Sequence, residues 1–469
     1  MNHYDCIVVG NGSIGLATAY ELQNNVDKKF KIAIFGKKSR EGSASLAAGA
    51  MLNVFGEVEY DSLSSKEGLT KFKMLLDAKD LWKEHINEIK NQISSKIKLN
   101  KGTYILNNST ADELDDENFN SIEKALKKFK EKYTYVNNKD IRGYNPQPRS
   151  RSLKNLYLPD ENFISSAKDL LDSYDIILSN TKNIHTVESH VKKITIKSNG
   201  KEVVDENGTR YSCKFLIIAA GSYSNFLVKQ IKQIKNKVPK IFFGTGNAII
   251  AETDKTILPN SVLRTPNRGM ACGLHVVPLN KNNIYIGATN RISDIPNNNP
   301  LISSSTSIMN SLMREINQDY GKLKIKKICV GHRPTTADTF PLLGETSVKG
   351  LYITTGTKRD GLTLSVYIAK CIANSILKLN NKYNFPKIFT PERKIISTLT
   401  VSQGIEKTIK HRISAAYQHN LKIPTTESDE TYRKIIKSEV QEIYKSNNIK
   451  KGIPPELLNM YRYKKIFNK

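Results

Sequence analysis

Hydrophobic positions along this chain alternate between short continuous runs and longer helical stripes, a pattern that predicts an α/β protein. Cys6–Val9 is a run of the kind that makes a buried parallel strand. It breaks at Gly10-Asn11-Gly12-Ser13-Ile14-Gly15 and resumes as the helix start Leu16–Leu22. Phe30–Phe35 reads as the second strand of a βαβ unit. In Thr70–Ile97, Phe72, Leu75, Leu76, Trp82, Ile86 and Ile89 recur near helical spacing, and Trp82 reads as core. A strand is predicted at Gly102–Leu106, a helix around Ile122–Lys132, and a buried strand at Phe215–Ala219. Phe242–Glu252, Gly273–Val277 and Ile284–Ala288 read as a second, more antiparallel sheet. Ser303–Tyr320 reads as a helix and Leu351–Thr355 as the last core strand, turning into a helix at Val366–Leu379. Residues 396–469 read as a separate tail, with helical patterns at Tyr432–Tyr444 and Pro455–Ile466.

At 469 residues there is room for two or three domains, and 39% apolar with 25% charged residues is a globular composition. No run of about 18 apolar residues occurs, so no transmembrane helix is expected. No basic, apolar and small-residue leader precedes the first strand. Cys6, Cys213, Cys272, Cys329 and Cys371 show no CxxC spacing, which predicts neither a metal site nor a disulfide framework, and a cytoplasmic protein. The net charge of +27 has two readings. One is a polyanionic partner such as RNA. The other is lysine spread along the whole chain as a compositional habit, since no long basic block stands out. The tail is nonetheless basic, with 14 Lys and Arg against 7 Asp and Glu.

Strand, GxGxxG, helix is the order a dinucleotide site requires. Gly10 permits the tight turn, Gly12 the approach of a pyrophosphate, and Gly15 close packing of helix on strand, while the helix N-terminus favours the phosphates. A bare glycine turn is the alternative. The acidic residue that usually ends the second strand to bind ribose is missing, and Gly36-Lys37-Lys38 stands there instead. That departure fits either a 2′-phosphate and NADP or an FAD site that binds its ribose differently. Gly42–Glu57 is unusually rich in small apolar residues for a solvent loop, and suits close approach of backbone to a flat ligand.

Gly10–Gly15, Ser43–Leu52, Ala219–Ser222, His332–Gly344 and Gly356–Leu364 occur in this order over about residues 1–395. Together they resemble the D-amino-acid oxidase superfamily of FAD-dependent oxidoreductases, most of all glycine oxidase. The resemblance implies noncovalent FAD and a discontinuous Rossmann-like FAD-binding domain (1–60, 150–235 and 325–395). An α+β substrate domain on a mostly antiparallel sheet (61–149 and 236–324) is interleaved with it, and a basic helical extension (396–469) follows. It assigns cofactor contacts to Gly10, Gly12, Ser13, Ile14 and Gly15 in the glycine loop, and to Ser43, Ser45, Ala47, Ala48, Gly49 and Met51 in the small-residue loop. Ala220 and Gly221 follow, then Gly356, Arg359, Asp360, Gly361, Leu362 and Thr363.

A flavin that accepts hydride gains negative charge, and the N–H groups of Arg359–Thr363, opening a helix, would lie where it grows. No protein acid or base is needed if the amine arrives unprotonated. A clamp for the substrate carboxylate is needed, and arginine suits it. The resemblance assigns the clamp to Arg333 and places Arg359 beside flavin and substrate; a pair of structural arginines bonding loop carbonyls is the alternative. His275, a ligand contact or a satisfied strand-end histidine, stands where the family commonly has a tyrosine touching the carboxylate, and Asn290 where a larger apolar residue is common. Both departures predict a more polar pocket. His332 reads as structural. The activity implied is oxidation of a small carboxylated amine (glycine, an N-alkylglycine or a D-amino acid), with dioxygen as acceptor giving hydrogen peroxide. Alternatives are an oxidase acting on a carboxymethylamino group of tRNA wobble uridine, and a noncatalytic flavoprotein or docking module. An oligomer is compatible with either.

Overall fold

The computed structural model describes residues 2–466 except 109, 111, 199, 380 and 422–424, so parts of the expected extension at 422–424 and 467–469 lie outside the described residues. The apolar run that opens the chain forms a central strand, Asn2–Val9. It is parallel to Arg210–Ile218 on one side and to Ile32–Phe35 on the other. Ile184–Val187 extends this eight-stranded sheet beyond Ile32–Phe35. Arg210–Ile218 shares its outer edge between an antiparallel neighbour, Gly200–Asp205, and Leu351–Thr355, which runs parallel to Leu216–Ile218. Cys6, Ile7 and Val8 are fully buried, because helices and loops cover both faces of the sheet. The helices Ser13–Asn25 and Gly361–Leu377 pack against each other.

The second sheet has nine strands and is mostly antiparallel, the pairing of Val262–Arg264 with Thr103–Asn107 being parallel. Its spine is Ile241–Glu252, paired along its length with Lys324–Thr336 and on its other edge with Asn283–Gly287 and Arg291–Ser293. Lys154–Leu158 and Lys324–Thr336 both belong to this sheet, although the apolar pattern of neither strand names it. The reason is that a strand's sheet is set by a distant hydrogen-bonding partner. The stripe of Lys66–Gln92 is buried as predicted, and Trp82 donates its indole N–H to Thr363 O at 2.9 Å. Trp82 thereby ties this core helix to the first turn of Gly361–Leu377.

The extension differs most from its sequence reading. A helix not foreseen, Val401–Gln418, starts on a Thr400/Gln403 capping box and packs against Thr426–Ser446 through Ile409, Ile413, Ile436 and Val440. It is docked on the body rather than separate. Leu457, Met460 and Ile466 pack on Phe242 and Ala337. Lys407 reaches Asp61 at 2.7 Å, Lys410 reaches Glu117 at 2.5 Å, Lys465 reaches Asp294 at 2.8 Å, and Arg433 pairs with Asp112. These cations of the basic tail therefore face carboxylates of the body. Among the described residues no helix is long and apolar enough to cross a membrane.

Candidate active site

A cavity of about 510 Å³ runs from the glycine loop to the second sheet, walled by the small-residue loop and by the turn Thr357–Thr363. The glycine loop is built by close contact. A Cβ on Gly10 would sit 2.4 Å from Ala219 O, and one on Gly15 only 1.9 Å from Gly10 O. Ser45 ties the two loops together, its Oγ accepting from Ser13 N at 3.0 Å. Arg40 fixes the next bend by donating Nε to Asn11 O at 2.8 Å while its Nη2 holds Asp175 at 2.6 Å.

Of the residues expected to touch cofactor, Gly10, Gly12, Ser13, Ile14, Ser43, Ser45, Ala47, Ala48, Gly49 and Met51 line this cavity. So do Ala220, Gly221 and Arg359–Thr363. Gly15 and Gly356 do not. Gly15 sits behind the loop against Gly10, and a Cβ on Gly356 would meet Thr336 Cγ2 at 2.5 Å. Both therefore serve the wall rather than its surface.

The residues fit a flavin dinucleotide. An unobstructed glycine loop opens the helix Ser13–Asn25, and a second helix, Gly361–Leu377, presents its first turn to the same cavity without a side-chain cap on Asp360. The missing acid at Gly36 also has a local cause, since a Cβ there would lie 2.4 Å from the side-chain carbon of Asn11. Lys37 and Lys38 pair at the surface with Glu206 at 2.9 Å and Glu188 at 3.3 Å.

At the far end Arg333, His275, Tyr285, Cys272 and Glu57 line the cavity. Arg333 lies over Gly246, where a Cβ would come within 2.3 Å of Nη1, and donates Nη1 to Thr289 O at 2.8 Å. Among the described residues no carboxylate is ion-paired with it. Arg359 is different, because its Nε lies 3.5 Å from Glu57 and its Nη2 donates to Glu59 at 3.0 Å. Glu57 also holds Arg264 at 2.7 Å. These two arginines keep the Glu57 carboxyl down at about 2 despite its burial.

His275 donates Nδ1–H to Gly273 O at 2.8 Å, leaving Nε2 as a bare acceptor. Its ring stacks on Tyr285, with centroids 5.8 Å apart, and burial pulls its pKa down to about 4. Tyr285 in turn donates to Ala47 O at 2.9 Å and lies where a side chain on Gly49 would sit. His332 is fully engaged, between Thr245 Oγ1 at 3.0 Å and Asn298 Oδ1 at 2.7 Å, as a structural histidine would be. Asn290 departs from expectation. It does not line the cavity, and its amide donates to Met270 O at 2.9 Å, so it adds no polarity to the pocket.

Sequence reading missed Glu57 and Glu59. Their signal was Glu57-x-Glu59-x-Asp61, three acids at alternate positions in a strongly basic chain. It also missed Tyr285, whose partners are visible only in space. Among the described residues no group of three or more His, Cys, Asp or Glu is placed to hold a metal.

The chain matches the FAD dependent oxidoreductase (DAO) family over residues 5–375. It is 30% identical over 129 residues to the bifunctional protein ThiO/ThiG of Nostoc sp., a match that spans 26% of this chain and 19% of that protein. Its fold is similar to that of glycine oxidase from Geobacillus kaustophilus, with a TM-score of 0.72 at 20% identity over 84% of this chain and 100% of the other. Glycine oxidase from Bacillus cereus superposes with a TM-score of 0.69 at 19% identity, covering 84% and 99%.

Proposed function

We propose that this chain, which belongs to the family of FAD dependent oxidoreductases, oxidises the C–N bond of a small carboxylated amine of the glycine, N-alkylglycine or D-amino-acid type. FAD, bound noncovalently, would supply the two-electron acceptor for the α-hydrogen, with dioxygen as the onward acceptor giving hydrogen peroxide. The product imine is hydrolysed to an oxo acid and ammonia or an amine.

Arg333 carries this reading, as a cavity-lining guanidinium with no carboxylate paired to it among the described residues. It is suited to receive a substrate carboxylate through two parallel hydrogen bonds. His275 stays neutral at working pH, and its bare Nε2 suits accepting an N–H from the uncharged amine. With a pKa of about 4 it orients the amine rather than deprotonates it. The first turn of Gly361–Leu377 lines the same cavity, and its N-terminal dipole would suit the negative charge that a bound flavin gains on reduction. All five cysteines are buried free thiols, in keeping with a reducing, cytoplasmic setting.

The test is anaerobic bleaching of the yellow protein by glycine, N-methylglycine, several D-amino acids and undermodified tRNA. Bleaching by a free amino acid is expected, followed by peroxide formation when air is admitted. Bleaching by tRNA alone would replace this substrate class with the wobble-uridine reading, and protein that holds no flavin would end both.

A further inference from the structure

The carboxylates at the cavity end belong to a longer arrangement. Arg264, Glu57, Arg359, Glu59, Lys407 and Asp61 form one row of alternating charge. Its successive contacts are 2.7, 3.5, 3.0, 3.3 and 2.7 Å. Every member is largely buried, with side-chain exposure between 0% and 17%. Three positive and three negative groups balance. Glu57 and Arg359 face the main cavity, and they also line a second one of about 170 Å³ that Glu59, Lys407 and Asp61 border between body and extension. The final cation comes from the helix Val401–Gln418, beyond residue 375 where the family match ends.

We propose that Lys407 is a positioning residue for the cavity, acting through Glu59 to hold Arg359 beside Glu57, so that the end of the site remains neutral enough to receive a carboxylate. This rests on reading the cavity as a carboxylate site. Lys407 makes no contact with the cavity itself. Removing its charge leaves a buried row of net charge −1, with Glu59 lacking one of its two cations. Arg359 is then drawn towards Glu59 and away from Glu57. The Glu57 carboxylate, which lines the same cavity as Arg333, is left less neutralised, and like charges repel more strongly in a partly desolvated site than in water. The extension is in this sense the outer part of the site's electrostatics.

Acetate, a carboxylate with no amine to oxidise, serves as the probe, titrated by its effect on the flavin absorption of the full-length holoprotein. Lys407→Met should weaken acetate about tenfold, the size expected for groups coupled in one network, and lower kcat/KM for the amine in parallel. Adding Asp61→Asn to Lys407→Met restores neutrality and should recover most of the loss, which a purely structural role for Lys407 would not do. Glu59→Gln provides the opposite sign, since it makes the row positive and should tighten acetate; it also keeps the proposal testable should Lys407→Met not fold. Acetate binding equal in wild type and in either single variant would overturn the proposal while leaving the proposed function intact. Flavin-loaded wild type that binds no acetate would overturn both.

Discussion

The guanidinium of Arg359 donates to Glu59 at 3.0 Å, a carboxylate 300 positions earlier in the chain. Arg359 and Arg333 therefore play different parts, although both line the cavity. One is held between two acids, and the other is bonded to a backbone carbonyl with donors to spare.

That difference predicts opposite phenotypes. Arg333→Met should retain flavin and melt near the wild-type temperature, while kcat/KM for the amine falls by about two to three orders of magnitude through loss of a desolvated charge partner. Arg359→Met strips a cation from two buried carboxylates and should destabilise the fold by about 3–5 kcal/mol. Thermal melts beside steady-state kinetics separate the two. An Arg333→Met enzyme with wild-type kinetics would remove the clamp.

The glycine loop distinguishes a ligand contact from a packing contact. A Cβ on Gly12 meets only Ser45, at 3.1 Å from its Oγ, so Gly12→Val should fold and fill the space a pyrophosphate needs. Colourless protein with wild-type circular dichroism is the expected result. Gly15→Ala, whose Cβ would lie 1.9 Å from Gly10 O, should fail to fold at all. Yellow Gly12→Val protein would contradict the assignment of the loop.

Acid should unfold this protein through its buried histidines. Burial pulls His85 down to about 3 and His275 and His411 down to about 4. In the unfolded chain each takes up a proton near pH 6.5. Between those values the unfolded state binds more protons than the folded one, so their contribution is complete above about pH 6.5 and is lost as pH falls towards 4. The melting temperature should drop on going from about pH 6.5 to 5, and His411→Gln should flatten that drop. An unchanged slope would assign the acid limb to other groups.

Removal of residues 396–469 should cost solubility and flavin together. It would uncover Phe242 and Ala337 and leave Glu59, Asp61 and Glu117 without the extension's lysines. Absorbance at flavin wavelengths and light scattering of the truncated chain test this. Soluble yellow protein ending at residue 395 would show the extension to be an appendage.

Features carried by neighbours in sequence were legible without coordinates. The strand Cys6–Val9 with its glycine turn, the stripe on Lys66–Gln92 and the strand Leu351–Thr355 are all present, because burial on a regular element imposes its period on the residues themselves. Most of the residues that line the cavity along the glycine and small-residue loops lay in motifs the sequence displays, since close approach of backbone demands small side chains locally. Features that depend on partners far apart in sequence were decided only by the tertiary structure. Lys324–Thr336 joins the second sheet because Ile241–Glu252 lies beside it, and Asn290 turns from the cavity to Met270. The row from Arg264 to Asp61 draws on four segments, and nothing in any one of them tells which charge will meet which. Electrostatic pairing acts through space, so whether an arginine is free to bind substrate is a property of the fold and not of its motif.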